Sequence, residues 1–349
     1  MSKTVTCLVR NHLVRDHTSP IRRGSPLIQQ KPLTVCIAAI CETASDSPKI
    51  VFSADSLISA GLQFERWGGK ISPLSDYCYV MASSSDALLS DMIVNEVQSK
   101  VSGSVPTIKE IADLFSTTCI NEKRKQQERD VLGPLGLSYD SFHANSKNMS
   151  PELVREIMNS LTYYRYKFET EFLIVGIDML PNPTAHIYTV NHDGECKLHD
   201  FLGFAVIGSG YTLAFPELTK LAYSPFVTTW EEALIRVYDA KKVAERMAGV
   251  GPVTNLAVLN INVDEKTKIR KPVVWWPMQD TFKILDGGIE KLKKNDLDTM
   301  TIVHRELKDL LAKAKAQAGK TASTTGESQK QDSEEQSKKP DSSKQPSTS

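Results

Sequence analysis

Ser53-Ala54-Asp55-Ser56-Leu57-Ile58-Ser59-Ala60-Gly61, with Lys70-Ile71 downstream of it, closes a short apolar run, Lys49-Ile50-Val51-Phe52-Ser53-Ala54. A second run, Thr34-Val35-Cys36-Ile37-Ala38-Ala39-Ile40, lies just upstream, and the turn-forming stretch Thr-Ala-Ser-Asp-Ser-Pro at 43–48 separates the two. Short continuous apolar runs bounded by turn residues predict a hairpin of strands buried on both faces.

Outward from that hairpin, Tyr77 to Ala82 predicts a third strand. Asp86 then suits an N-cap for a helix whose stripe is Leu89, Met92, Ile93 and Val97. Thr107-x-x-Glu110 is a capping box that opens a second helix, with Ile108, Ile111, Ala112, Phe115 and Cys119 on one face. Residues 131–149 carry the composition of an irregular loop, and Ser150-Pro151 supplies an N-cap and an N1 proline for a helix to about Phe168. Strands are expected at Phe172 to Asp178, Ala185 to Val190, Cys196 to His199 and Phe204 to Ile207, with Asp193-Gly194 as a tight turn. Thr229-x-x-Glu232 is a second capping box and heads a helix through Ala233, Val237, Ala240, Val243, Ala244 and Met247, and Thr254 to Val263 closes the series as a strand. Strands, two helices, strands, helices and a last strand fit a layered α+β sandwich with segregated helices better than an alternating βαβ fold.

Thr34, Asp55 and Lys70 form the first chemical constellation. A threonine hydroxyl attacks an amide only with help from an adjacent base, which is its own α-amine when threonine is the first residue. A lysine that stays cationic lowers the hydroxyl pKa and stabilises developing charge, and an aspartate orients that lysine. By residue type alone, a strand-edge threonine, a turn-capping aspartate and a surface lysine are the better fit.

The local pattern goes further. Ser53-Ala54-Asp55-Ser56-Leu57-Ile58-Ser59-Ala60-Gly61 followed by Lys70-Ile71 resembles the A-A-D-S-x-x-T-x-G and K-[VI] segments of the proteasome β-subunit family. Tyr79-Val80-Met81-Ala82-Ser83-Ser84, Val206-Ile207-Gly208-Ser209-Gly210-Tyr211-Thr212-Leu213-Ala214 and Gly251-Pro252-Val253-Thr254-Asn255-Leu256 resemble later segments of that family, in the same order. The resemblance covers most of residues 34–263. It implies a four-layer α-β-β-α sandwich of the N-terminal-nucleophile (Ntn) hydrolase class and a threonine-type amide-bond hydrolase. Thr34 is then nucleophile and, through its freed amine, general base. Asp55 and Lys70 are its electrostatic partners, Ser209 is a further hydrogen-bonding residue, and Ser59 contacts substrate backbone. Ser83 stands where the family carries the glycine whose N–H helps form the oxyanion hole.

Two further positions depart from the family. Met247 occupies the place of an aspartate, with Glu245 as the nearby substitute, and Leu33 rather than glycine precedes Thr34. The alternative is a non-catalytic proteasome-like assembly or binding protein with Thr34 unprocessed, and a transpeptidase or narrow amidase would share the nucleophile. The resemblance implies a peptide or protein substrate, a homo-oligomer and an unfoldase partner.

Lysine plus arginine and aspartate plus glutamate number 42 each, so no global field argues for nucleic acid or an acidic membrane surface. The six cysteines are scattered without metal-ligand spacing and suit buried thiols in a reducing compartment. Cys36 and Cys41, which alternate along an apolar strand, fit packing better than catalysis. His192 and His199 fit turn positions, and Gly208-Ser209-Gly210 lacks a phosphate-loop pattern. No metal or cofactor is expected. No apolar run reaches the roughly 18–20 residues of a bilayer span, so a cytoplasmic protein is the expectation. Residues 1–33, basic and interrupted by Pro20, Pro26 and Pro32, fit a propeptide, an address signal or an over-called start. Residues 264–319 form an extension with a helix from Leu297 to about Ala318, and 320–349 have the composition of a disordered tail.

Overall fold

The computed structural model describes residues 34–60, 62–65, 70–164, 169–220, 223–264 and 267–292, together with 305, 307–309 and 312. The expectations for residues 1–33 and 320–349 lie outside these, as does most of the segment from 297 to 318. Strands β1 (Cys36–Cys41) and β2 (Lys49–Asp55) form the expected hairpin, followed by a small ribbon of β3 (Leu57–Ala60) and β4 (Leu62–Glu65). Then come β5 (Ile71–Ser75), β6 (Cys78–Ser84), α1 (Ala87–Val101) and α2 (Ile108–Gln127). After α3 (Tyr139–Asn145) and α4 (Pro151–Tyr164), the chain makes β7 (Thr170–Asp178), β8 (Thr184–Asn191), β9 (Cys196–Leu198) and β10 (Phe204–Ile207). Helices α5 (Tyr211–Thr219) and α6 (Trp230–Ala244), strands β11 (Thr254–Val263) and β12 (Arg270–Trp275), and α7 (Gln279–Leu292) complete it.

Two antiparallel sheets result, ordered β10-β1-β2-β11-β12 and β5-β6-β7-β8-β9. Side chains alternate across each strand, and that alternation divides the core. Cys36, Ala38, Ile40, Ile50 and Phe52 of the first sheet pack against Met81, Leu173, Val175 and Ile187 of the second. The opposite series of the first sheet, Val35, Ile37, Ala39 and Val51, packs under α5, α6 and α7 through Ala214, Leu234, Val237 and Leu285. The outer face of the second sheet, with Val80, Phe172 and Ile174, packs under α1 and α2 through Ile93, Val97, Ile111 and Phe115. The architecture is therefore mixed α+β: two antiparallel sheets share one apolar core, and helices cover the outer faces.

Local signals explain most helix ends. Asp86 accepts from the backbone N–H groups of Leu88 and Leu89, and both arms of the Thr107–Glu110 capping box are made. Four expectations need correction. Thr229 caps α6 by accepting from Glu232 N, but the Glu232 carboxylate pairs with Arg236 one turn on, so the box is half formed. Met92 is exposed, because Ser90 and Val94 complete the buried stripe of α1 in its place. Residues 131–149 are mostly helical; Leu132, Phe142, Ile157 and Leu161 give them a small core of their own. Helix α6 ends at Ala244, before Met247. The fold also continues past Val263, since β12 pairs along β11 and Leu285, Ile289 and Leu307 enter the core beneath α6. Among the described residues no helix is long and apolar enough to cross a membrane.

Candidate functional site

One end of the inter-sheet core is where the candidate residues meet. Strand β1 runs antiparallel to both of its neighbours, with Cys36 opposite Ala54 of β2 and Ile207 of β10. The residue that begins β1 must therefore lie beside the residues that end β2 and β10. Thr34 accordingly stands next to Asp55 and Ser209, and Lys70 reaches the same point from the start of β5 in the other sheet.

Asp55 is fully buried and has donors on both carboxylate oxygens. Oδ1 accepts from Thr34 Oγ1, from Val35 N at 3.0 Å and from Lys70 Nζ at 3.0 Å; Oδ2 accepts from Leu57 N and Gly251 N, each at 3.2 Å. Lys70 Nζ also donates to Thr34 Oγ1, and its side chain is 12% exposed. The Thr34 main chain is held separately: its N–H donates to Ser209 Oγ at 3.2 Å, and its carbonyl accepts from Ser209 Oγ at 3.3 Å and Gly210 N at 3.1 Å. Gly208, at φ +90°, allows this approach. A Cβ there would collide with the Thr34 carbonyl oxygen and lie 2.7 Å from Thr34 Cγ2, so the position requires glycine.

No protein-family model matches this chain, and no curated protein matches it. The site's chemistry therefore rests on its geometry. The Lys70 ammonium favours negative charge on the Thr34 hydroxyl oxygen, the Asp55 carboxylate that accepts its hydrogen bond opposes it, and the two together fix its rotamer.

Of the remaining expected residues, Ser83 lies on β6 opposite Glu171, fully buried, with Oγ 3.0 Å from the position a Cβ on Gly208 would take. That hydroxyl has no hydrogen-bond partner among the described residues. Ser59 lies on β3 opposite Gln63. Met247 packs against the apolar cluster beneath the first sheet. Glu245 pairs with Lys241 at 2.6 Å through one carboxylate oxygen and with Lys242 at 2.8 Å through the other. Burial pushes the Cys36 and Cys41 thiols well above the usual range, which leaves both unreactive. His199 bonds Thr189 at 2.8 Å, and burial holds its pKa low. Among the described residues no His, Cys, Asp and Glu side chains come together in a group fit to hold a metal ion.

Two charged residues at the site were not anticipated. Lys241 is fully buried behind Asp55 and donates to Gly251 O at 2.8 Å, the residue whose N–H holds Asp55 Oδ2. Burial lowers its pKa, with Glu245 and Asp55 opposing that shift. Its signal was present, since Lys241 falls in the stripe Leu234, Val237, Ala244 of α6. Glu171 is the second. It belongs to the alternating series Leu173, Val175, Ile177 that faces the inter-sheet core, and the Gly208 N–H favours the charged form of its carboxylate.

Proposed function

We propose that this chain is a proteasome-like N-terminal-nucleophile hydrolase, a threonine-type amide-bond hydrolase acting on peptide or protein substrates once the bond between Leu33 and Thr34 is cut. The observation that carries the reading is the convergence of Lys70 Nζ and the Asp55 carboxylate on Thr34 Oγ1 from separate segments of the chain. The stacked antiparallel sheets support it, although one fold serves many functions.

In this reading the freed α-amine of Thr34, beside Ser209 Oγ, takes the Oγ1 proton as Oγ1 bonds to the amide carbon. The carbonyl oxygen becomes an oxyanion, for which the Ser83 backbone N–H is the proposed donor. Collapse breaks the C–N bond, the α-ammonium returns its proton to the leaving nitrogen, and water then hydrolyses the ester to restore Thr34. Lys70 remains cationic throughout, oriented by Asp55. Thr34 is 2% exposed in the intact chain, so the reading requires that cleavage uncover it. A homo-oligomer, an unfoldase partner and a cytoplasmic location belong to the same proposal.

A non-catalytic assembly or binding protein is the second reading. It is favoured by Met247, where the resemblance calls for a carboxylate, and by the engagement of Glu245 with Lys241 and Lys242. N-terminal sequencing and intact mass of the purified protein, with a peptidase assay on wild type and Thr34→Ala, separate the two. A mature start at Thr34, with activity lost in a normally melting Thr34→Ala protein, is expected. Activity that survives Thr34→Ala overturns Thr34 as the nucleophile, and an intact inactive chain favours the second.

A further inference from the structure

Beside Thr34 opens a cleft of about 730 Å³, walled by Glu169, Glu171, His192, Ser209, Tyr211 and Met247 among others. That volume lies within the range of sites that enclose a small ligand. Its position follows from how Thr34 is held. The hydroxyl engages Asp55 and Lys70, whereas the main-chain nitrogen engages Ser209, which lines the cleft. The cleft therefore adjoins the amine side of Thr34. A base that returns its proton to the leaving nitrogen must be next to that nitrogen, so the released fragment of the substrate lies on the cleft side.

The cleft's charge is unbalanced. Glu171 is half-buried, and burial raises its pKa; the Gly208 N–H only partly offsets this, Glu169 adds to the rise, and Lys197 opposes it. His192 is engaged by Asp193 at 3.5 Å. A desolvated carboxylate with a second carboxylate nearby gains from any cation brought to it. Independently of these charges, Ser83 Oγ is fully buried and unpartnered among the described residues, 3.0 Å from where a Cβ on the cleft-lining Gly208 would lie. An orphaned hydroxyl in a packed interior calls for a polar ligand or water.

We propose that this cleft is the subsite for a lysine or arginine side chain on the released side of the scissile amide, with Glu171 as its specificity-determining residue. The assignment rests on Thr34 as nucleophile. Glu171 receives the ammonium or guanidinium as a charge-assisted partner, and the aliphatic stem lies along Tyr211 and Met247.

The test uses the purified full chain and two product-like probes, argininamide and norleucinamide, which share an α-amine and differ in the side-chain cation. Titration calorimetry is expected to show argininamide binding at least about tenfold tighter, as one charge-assisted hydrogen bond supplies. Glu171→Gln, which removes the charge and keeps the side-chain shape, should abolish the preference, and raising sodium chloride should shrink it in wild type. Equal binding of the two probes, or a preference unchanged in a folded Glu171→Gln protein, overturns the proposal. Should that variant not fold, a wild-type preference insensitive to salt overturns it as well. Thr34→Ala must keep the binding preference and lose hydrolysis. If it keeps both, the nucleophile reading has failed and the cation subsite stands without it.

Discussion

Replacing Asp55 with alanine removes a buried carboxylate whose two oxygens serve three backbone N–H groups, those of Val35, Leu57 and Gly251, as well as Lys70 and the Thr34 hydroxyl. Two effects act together. Lys70, with a side chain only 12% exposed, loses the carboxylate at 3.0 Å that compensates its charge. Breaking a buried ion pair from one side typically costs about 3–5 kcal/mol. Each buried N–H left unsatisfied carries a penalty of about 1–3 kcal/mol, but water entering the vacated space relieves part of it, and the two effects are not additive. The ion-pair figure is therefore the working magnitude. For a domain of this size, about 2–4 °C per kcal/mol converts it to a melting decrease of roughly 6–20 °C. Thermal melting followed by far-ultraviolet circular dichroism measures this directly. Adding Lys70→Met to Asp55→Ala should recover part of the loss by removing the stranded charge, while the N–H groups stay unsatisfied. An Asp55→Ala protein that melts within about 2 °C of wild type would refute the reasoning, since no arrangement with that many donors on one buried carboxylate is thermally silent.

Three further outcomes are expected. Lys70→Met should lose about 10²-fold in turnover on a substrate that depends on Thr34, the usual loss when one group that stabilises transition-state charge is removed, and should melt closer to wild type than Asp55→Ala does, because the backbone donors to Asp55 remain; wild-type turnover would exclude an electrostatic role. Gly208→Ala should destabilise by at least about 1–3 kcal/mol, since φ +90° is strained for any side chain and the added Cβ meets the Thr34 carbonyl; a denaturation midpoint equal to wild type would show that the turn relaxes freely. His186 lies between Asp200 at 2.6 Å and Asp178 at 3.4 Å, and although burial lowers its pKa, the hydrogen bond and charge of Asp200 with the charge of Asp178 raise it overall. Its stabilisation is therefore present below the unfolded value near 6.5 and is lost as pH rises through the folded value, so the melting gap between wild type and His186→Gln should be wider at pH 5.5 than at pH 8.5, and an equal gap at both would contradict the pairing.

Sequence reading finds the interior strands and the proline-free edge strands β9 and β10, and misses the edge strands β5 and β12. Strands β1, β2, β7 and β11 are interior to their sheets and covered on both faces, so they show as continuous apolar runs. The runs do not say which residue faces the other sheet and which faces the helices; only the register of Cys36 against Ala54 and Ile207 does that. Strands β5 and β12 escape notice because Pro73 and Pro272 interrupt them. Both are edge strands, the one place in a sheet where proline is tolerated. Helices α5 and α7 carry Pro216 and Gly287-Gly288, which speak against a helix locally and are overridden by packing on α6. Residues 131–149 look like a loop for a related reason, since their apolar residues are too sparse to make a stripe and enclose a core only when Ile157 and Leu161 of α4 close over them.

At the site, Thr34, Asp55, Lys70 and Ser209 are legible because each ends or begins a strand and the motif fixes their order. Glu171 and Lys241 are less legible because each sits at an apolar position, and the sequence does not state how its charge is answered. The structure answers the two differently. Lys241 meets Glu245 and the Gly251 carbonyl within its own neighbourhood, so it serves to hold Gly251 and through it Asp55. Glu171 lines an open cleft, where the Gly208 N–H and, less strongly, Lys197 favour its charged form. A buried charge with an internal partner fixes structure, whereas one whose compensation is incomplete and whose surroundings are open to solvent is placed to receive a partner from outside. On that distinction Lys241→Met should disturb Asp55 and stability in every assay. Glu171→Gln should leave the melting transition near wild type and alter only which ligands bind, and a Glu171→Gln protein destabilised as severely as Lys241→Met would assign Glu171 to the scaffold instead.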